Sequence, residues 1–233
     1  MISFKWRHFQ QDLILMSVRW YVSYPLSYRN IEEMMLERGL SVDHSTINRW
    51  VINYSPLLEA EFRKKHKRHT GNSWRMDETY IKIKGEWHYL YRAVDKEGKT
   101  IEFMLSKKRD KPAVTAFFKK AIGSSGFPEK ITIDKSGSNE AGLNSINLML
   151  RLYAFIGIML EPITMRQNKY LNNVVEQDHR SIKRITRPMM GFKEFHSAEA
   201  TIKGIELYHM LRKEQHVNSS NQTAFQQFYA LAA

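Results

Sequence analysis

Trp74-Arg75-Met76-Asp77-Glu78-Thr79-Tyr80-Ile81-Lys82-Ile83-Lys84 alternates with a period of two, and that period is the mark of a strand. It places Asp77, Thr79, Ile81 and Ile83 on one face. Gly85-Glu86 turns the chain into a second strand over 87–95, and Lys96-Glu97-Gly98 turns it into a third over 100–106. Three antiparallel strands in a meander follow. Lys111-Pro112 opens a helix through 113–122, a loop occupies 123–128, and 130–134 has the short apolar character of a buried strand. A longer helix over 139–154 aligns Leu143, Ile146, Leu150 and Tyr153, and 162–166 supplies a fifth strand. The order βββαβαβα predicts an α/β fold of the ribonuclease H-like kind, a mixed five-stranded sheet with flanking helices.

The last helix of that order begins in Lys169-Tyr170-Leu171-Asn172-Asn173-Val174-Val175-Glu176-Gln177-Asp178-His179-Arg180-Ser181-Ile182-Lys183-Arg184. Asn172 or Asn173 is the expected cap, which would leave Glu176 in or near the first turn, where the helix dipole favours a carboxylate. Steps of three and four from Glu176 reach His179, Arg180 and Lys183 on one face, while Val175 and Ile182 form an apolar stripe able to dock on a sheet.

Upstream of the strands the period is helical. A helix over 10–23 repeats Leu13, Met16 (or Ser17) and Trp20, and Pro25 stops it. A second, over 27–37, is opened by Ser27 and turns Ile31, Met34 and Met35 inward. Arg38-Gly39-Leu40 makes a tight turn, and a third helix runs from Asp43 or Ser45 through Ile47, Trp50 and Val51 to about residue 54. This is the helix-turn-helix pattern. Its second helix would present His44, Ser45, Asn48 and Arg49 outward, residue types suited to bases or phosphates. The alternative is an ordinary three-helix packing unit. Ser55-Pro56 is expected to end this domain.

Seven consecutive cationic or titratable residues, Arg63-Lys64-Lys65-His66-Lys67-Arg68-His69, then stand where a linker should be. Lys64, Lys65, Lys67 and Arg68 would track a DNA backbone from there. Past Pro188 a turn at 189–192 leads to a helix capped by Ser197 and reaching about 213. The last twenty residues are a polar tail or a short packing helix. The expected domains are therefore 1–56 (helix-turn-helix), 57–72 (basic linker), 73–190 (catalytic core) and 191–233 (C-terminal helix and tail).

Composition sets the class. With 233 residues, 42% of them apolar, a packed core needs no covalent staples. The absence of cysteine removes disulfides, zinc–thiolate sites and thiol catalysis together, and fits a reducing cytoplasm. Lys and Arg number 36 against 24 Asp and Glu, for a formal charge of +12, which points to a polyanionic partner, nucleic acid first. The apolar run at 13–22 is interrupted by Arg19 and is too short for a transmembrane span or a signal sequence.

In a ribonuclease H-like sheet the ends of the first and fourth strands lie side by side, which brings Asp77 and Asp134 together, and the Glu176 helix packs on the same sheet. Three converging carboxylates repel one another. Hard divalent cations, Mg²⁺ or Mn²⁺, remove that cost. Two ions about 3.5–4 Å apart could bracket a scissile phosphate. Lys183, two turns past Glu176, would hold a DNA phosphate, with Arg180 beside it. The bland alternative makes Asp77 a turn residue, Asp134 a helix cap and Glu176 a dipole partner.

Phe4-Lys5-Trp6-Arg7-His8-Phe9, Arg19-Trp20-Tyr21, Leu26-Ser27-Tyr28-Arg29, Val42-Asp43-His44-Ser45-Thr46-Ile47 and Arg49-Trp50-Val51 resemble the N-terminal half of insertion-sequence transposases of the IS6 (IS26-like) family. Trp74-Arg75-Met76-Asp77-Glu78-Thr79-Tyr80, Tyr89-Leu90-Tyr91-Arg92-Ala93-Val94-Asp95, Asp134-Lys135, Lys169-Tyr170-Leu171-Asn172-Asn173, Glu176-Gln177-Asp178-His179 and Thr201-Ile202-Lys203-Gly204-Ile205-Glu206 continue the likeness. The resemblance implies a DDE transposase with a retroviral-integrase-like core, Asp77, Asp134 and Glu176 as its metal-binding triad and Lys183 as the accompanying basic residue. It also implies two Mg²⁺ (or Mn²⁺) ions, a helix-turn-helix that binds the element's terminal inverted repeats, and replicative movement through cointegrates. A homodimer or higher oligomer, acting on terminal repeats and target DNA at the nucleoid in the bacterial cytoplasm, completes the expectation. The stretch between Asp134 and Glu176 is longer than the family's pattern, with the excess in 148–160. If that excess lengthens a helix or loop the site is intact; if it displaces the Glu176 helix, the chain is an inactive remnant or a DNA-binding regulator.

Overall fold

The computed structural model describes residues 2–4, 8–155 and 160–232, with their side chains except at 154, 155 and 169. The motif residues at 5–7 therefore lie outside the described residues, as do 156–159 of the long stretch before Glu176. Contacts divide the chain into two units: Met1–Arg68 with Ile83–Gly85 and Ser181–Ala233, and His69–Lys82 with Glu86–Arg180.

The first unit is helical. Helix α1 spans Gln11–Ser23, α2 Tyr28–Leu36 and α3 His44–Glu61. Ser27 and Asn30 form a capping box on α2, and Asp43 caps α3 by accepting the Ser45 N–H at 2.8 Å. Gly39, at φ 73°, supplies the left-handed turn between them. Ile14, Leu15, Val18, Ile31, Met35, Ile47 and Val51 are the buried faces of these three helices.

Pro56 does not end α3. The helix runs on to Glu61 and passes into a π-helical turn over Phe62–His66. A proline inside a helix costs about 3 kcal/mol and a backbone hydrogen bond. Tyr54, Leu58 and Phe62, all fully buried on the continuing face, offset that cost. Residues 57–66 are thus not a linker, and much of the basic segment is tied to its own chain. Arg63 pairs with Glu59, and Lys65 with Glu61 at 2.6 Å. Lys67 bridges to His216, and Arg68 donates to the Val217 carbonyl at 3.1 Å.

The C-terminal segment belongs to this same unit. Helix α7 (Phe195–Arg212) packs on α1 and α3, and its Gly204 comes so near that an added Cβ would sit 2.6 Å from Ser55 Oγ. The last residues resolve in favour of packing: α8 (Ala224–Ala230), capped by Thr223, buries Phe228 against the rest of the unit.

His216 is 2% exposed, stacks on His66 at 4.8 Å and accepts the Asn218 N–H at Nδ1. Burial holds its basicity below the ordinary histidine value, and His66 and Arg68 add to the effect. The folded chain then binds fewer protons here than the unfolded chain below pH 6.5. Stability is therefore full above that pH and falls as the pH drops through it. Urea midpoints taken between about pH 7 and about pH 5 are expected to fall, and to fall less in His216→Gln. An equal slope in the two proteins would remove His216 as the cause.

The second unit is the sheet with its helices. Strands β1 (Ser73–Ile83), β2 (Glu86–Asp95), β3 (Thr100–Ser106), β4 (Lys130–Ile133) and β5 (Thr164–Gln167) lie in the order β3-β2-β1-β4-β5. β2 and β3 are antiparallel, whereas β4 runs parallel to both β1 and β5. Helices α4 (Lys111–Ser125) and α5 (Gly137–Phe155), with α6 (Lys169–Thr186) as far as Arg180, complete it. This is the ribonuclease H-like, retroviral-integrase-like topology read from the sequence. The two hairpin turns centre on Gly85 (φ 84°) and Gly98 (φ 81°), as that reading required. Trp74 and Met76 point into a core with Phe117, Phe118, Ile131, Ile133 and Leu143. Asp77 and Thr79, on the other face, look toward α6, which reaches β1 through the Asn172 side chain donating to the Met76 carbonyl at 3.3 Å.

Candidate active site

Strand β1 pairs with β4 as far as Arg75 opposite Thr132, so Asp77 on β1 and Asp134 just past the end of β4 each lie two residues beyond the last pair. Both carboxylates lie near enough to Glu78 for their charges to raise its carboxyl. Each is then held by a different set of neighbours.

Asp77 is held from α6. His179 Nε2 lies 3.2 Å from Asp77 Oδ2, and His179 Nδ1 lies 3.3 Å from a guanidinium nitrogen of Arg92. A guanidinium has only hydrogens to give, so Nδ1 must offer its lone pair and Nε2 carries the N–H that points at Asp77. Arg92, fully buried on β2, also donates to Asp178 Oδ2 at 2.7 Å. The run Asp178–Arg92–His179–Asp77 fixes α6 against the sheet.

Asp134 is held from the opposite side. Asn139 Nδ2 donates to Asp134 Oδ1 at 2.7 Å and to Glu78 Oε2 at 3.2 Å. Arg109 lies 3.3 Å from Asp134 Oδ2 and pairs directly with Glu78. The Glu78 side chain is 4% exposed, and burial lifts its carboxyl above the ordinary range. The nearby Asp77 and Asp134 charges lift it further, against the pull of Asn139 and Arg109.

Glu176 is exposed on α6, one turn before His179. Its helix begins earlier than the sequence suggested, at Lys169, with Asn168 Oδ1 accepting the Tyr170 N–H at 3.0 Å. Asn172 is buried and spends its amide on β1, so it is not the cap, and Glu176 lies beyond the first turn. The dipole reading of Glu176 therefore fails. Among the described residues the ligand atoms of Asp77, Asp134 and Glu176 are not gathered within 4.8 Å of one another. The one group that is, Glu32, Asp43 and His44, is already bonded to itself, His44 Nδ1 lying 3.1 Å from Glu32.

The remaining sequence candidates divide. Ser45 and Arg49 are exposed on α3, while His44 and Asn48 are half-buried and line a groove of about 620 Å³ with Ser27, Asn30 and Lys193. Lys64, Lys65 and Arg180 are exposed; Lys67, Arg68 and Lys183 are half-buried. Sequence reasoning passed over Glu78, Arg92, Arg109 and Asn139. Two of them carried a signal: Glu78 follows Trp74 and Met76 on the apolar face of β1, and Arg92 interrupts the apolar run of β2.

The family model DDE_Tnp_IS240, described as a DDE domain, matches residues 71–215. Over 212 residues the chain is 43% identical to the transposase for insertion sequence-like element IS431mec of Staphylococcus aureus, covering 91% of this chain and 89% of that one. The chain belongs to the IS6 family of DDE transposases. The transposase for IS257 in transposon Tn4003, also from Staphylococcus aureus, is 42% identical over the same length. Solved structures that resemble this IS6-family chain include the HTLV-2 integrase catalytic core in complex with magnesium (20% identity, 69% of this chain and 99% of that one, TM-score 0.44). The BIV integrase core is another (16% identity, 69% and 95%, TM-score 0.42). The strand order alone carries the fold assignment. As an insertion-sequence transposase the chain is a polynucleotidyl-transferase-type enzyme whose partner is DNA. Among the described residues no helix is long and apolar enough to cross a membrane.

Proposed function

We propose that this transposase frees a 3′-hydroxyl at the ends of its element and joins it to target DNA, with Asp77, Asp134 and Glu176 as the residues that hold two Mg²⁺ or Mn²⁺ ions. The observation that supports the reading is that Asp77 and Asp134, each just beyond the paired stretch of β1 and β4, both lie close to Glu78 while His179 holds the Glu176 helix to Asp77. The donors fit such ions, being hard carboxylate oxygens and nothing softer. When bound, two ions would neutralise the scissile phosphate and ease the attacking and leaving oxygens through an in-line displacement. The chain's own part is placement: His179 keeps the Asp77 carboxylate from turning, and Asn139 does the same for Asp134. Lys183, on the same helix as Glu176, is assigned to a DNA phosphate, with Arg180 beside it.

The unit containing α2 and α3 is assigned to the terminal inverted repeats, through Ser45 and Arg49 as the exposed pair and His44 and Asn48 behind them. Lys64, Lys65, Lys67 and Arg68 contribute positive potential more than a flexible track, since most are tied within the fold. Two ends must be cut together, so a homodimer or higher oligomer is the working form, acting at the nucleoid and moving replicatively through cointegrates.

Purified protein, labelled end DNA and a target plasmid, with Mg²⁺ and with EDTA, test this. Joined product in Mg²⁺ and none in EDTA is the expected result. Hydrolysis without joining would make it a nuclease, and end binding without cleavage an inactive remnant or regulator. A protein–DNA adduct trapped by denaturant would overturn the metal reading.

A further inference from the structure

We propose that Glu78 is a positioning residue for Asp134, the acceptor onto which Arg109 withdraws when a divalent cation takes Asp134 over. The inference rests on the reading of Asp134 as a metal ligand. Both oxygens of Asp134 face a donor that is shared with Glu78. Oδ1 shares the Asn139 amide with Glu78 Oε2, and Oδ2 shares Arg109 with Glu78 Oε1. Asp134 is 38% exposed and open to an incoming ion, whereas Glu78 lies behind it at 4%.

Charge decides what this arrangement does. Arg109 cannot lose its proton, so without a metal it neutralises Asp134, and with one it becomes a second cation on the same carboxylate. Two cations cannot share Asp134 Oδ2 without repulsion. Glu78 removes the conflict because it already touches Arg109 and is too buried to bind the ion itself. The guanidinium needs only to lean from one partner to the other. Glu78 therefore acts through Arg109, and its removal leaves Arg109 with Asp134 as its remaining anion in the pair.

Titration of the full chain with Mn²⁺ alone, followed by the electron paramagnetic resonance of free Mn²⁺, tests the idea without any DNA. Glu78→Gln is expected to weaken Mn²⁺ binding by about tenfold or more, the range seen when support behind a metal ligand is lost. Glu78→Gln/Arg109→Gln is expected to regain it, since the competing cation is gone. Asp134→Asn is expected to lose the site. If Asp134→Asn binds Mn²⁺ like the unaltered chain, the metal reading falls and takes this one with it. If Asp134→Asn loses binding but Glu78→Gln does not, Glu78 has no such role while the metal reading stands. A double variant as weak as Glu78→Gln would also overturn it. Circular dichroism reports whether Glu78→Gln folds; if it does not, Arg109→Gln alone decides, tighter Mn²⁺ binding supporting the exchange and weaker binding refuting it.

Discussion

Asp77→Asn, Asp134→Asn and Glu176→Gln are each expected to lower DNA strand transfer by about a thousandfold or more while leaving binding to end DNA unimpaired. Each substitution removes one negative charge and almost no volume. Loss of negative charge beside a polyanion strengthens binding if it changes it at all, so lost transfer could not be blamed on lost affinity. Asp77→Asn is also conservative toward the fold, because the asparagine oxygen can still accept the N–H that Arg92 fixes on His179 Nε2. Residues that act as one catalytic set are not additive, so pairing any two substitutions should cost little more than either alone. The measurements are a gel assay of joined product and a mobility shift on end DNA. Normal transfer by any one variant removes that residue from the set. Glu176→Gln is the most informative of the three, since Glu176 is exposed and stands apart from the bonded networks around the two aspartates.

What the chain disclosed in advance was whatever repeats along it. The period of two in β1, the glycines of the two hairpin turns and the apolar faces of the helices need only local geometry, and the sheet order followed from them. Asp77 and Asp134 could be proposed as a pair for the same reason, one on an alternating strand and one just past a short buried strand. Pro56 misled because a local rule met a global one: burial of Tyr54, Leu58 and Phe62 outweighs the lost hydrogen bond. The cap of α6 misled in a similar way, since Asn172 has the chemistry of a cap but its amide is used across the sheet. Arg109 and Asn139 were illegible. They sit in a loop and on a helix whose partners, Glu78 and Asp134, come from two other strands, and no spacing along the chain encodes that meeting. Downstream of the added length, α6 meets β1 through Asn172 and His179.

Arg92→Met is expected to destabilise the second unit by about 3–5 kcal/mol, the cost of removing one member of a buried ion pair. Arg92 has no exposed surface, and its loss removes one ion pair from the nearly buried Asp178 and frees the Nδ1 side of His179. Arg92→Met/Asp178→Asn should recover part of that stability, since it removes both charges of the buried pair together. Urea unfolding followed by circular dichroism measures both; a single variant as stable as the unaltered chain, or a double variant no better than the single, would contradict the account. The double variant matters for a second reason. Apolar burial at Val175 could hold this part of α6 in place without any charge, so stability alone does not explain a buried arginine. Arg92 reaches two consecutive residues of α6, Asp178 with one nitrogen and His179 with the other, and only one rotation of the helix satisfies both. That rotation is the one that brings His179 to Asp77 and sets Glu176 a turn away. The double variant should accordingly fold and still transfer strands poorly, with α6 attached but free to roll.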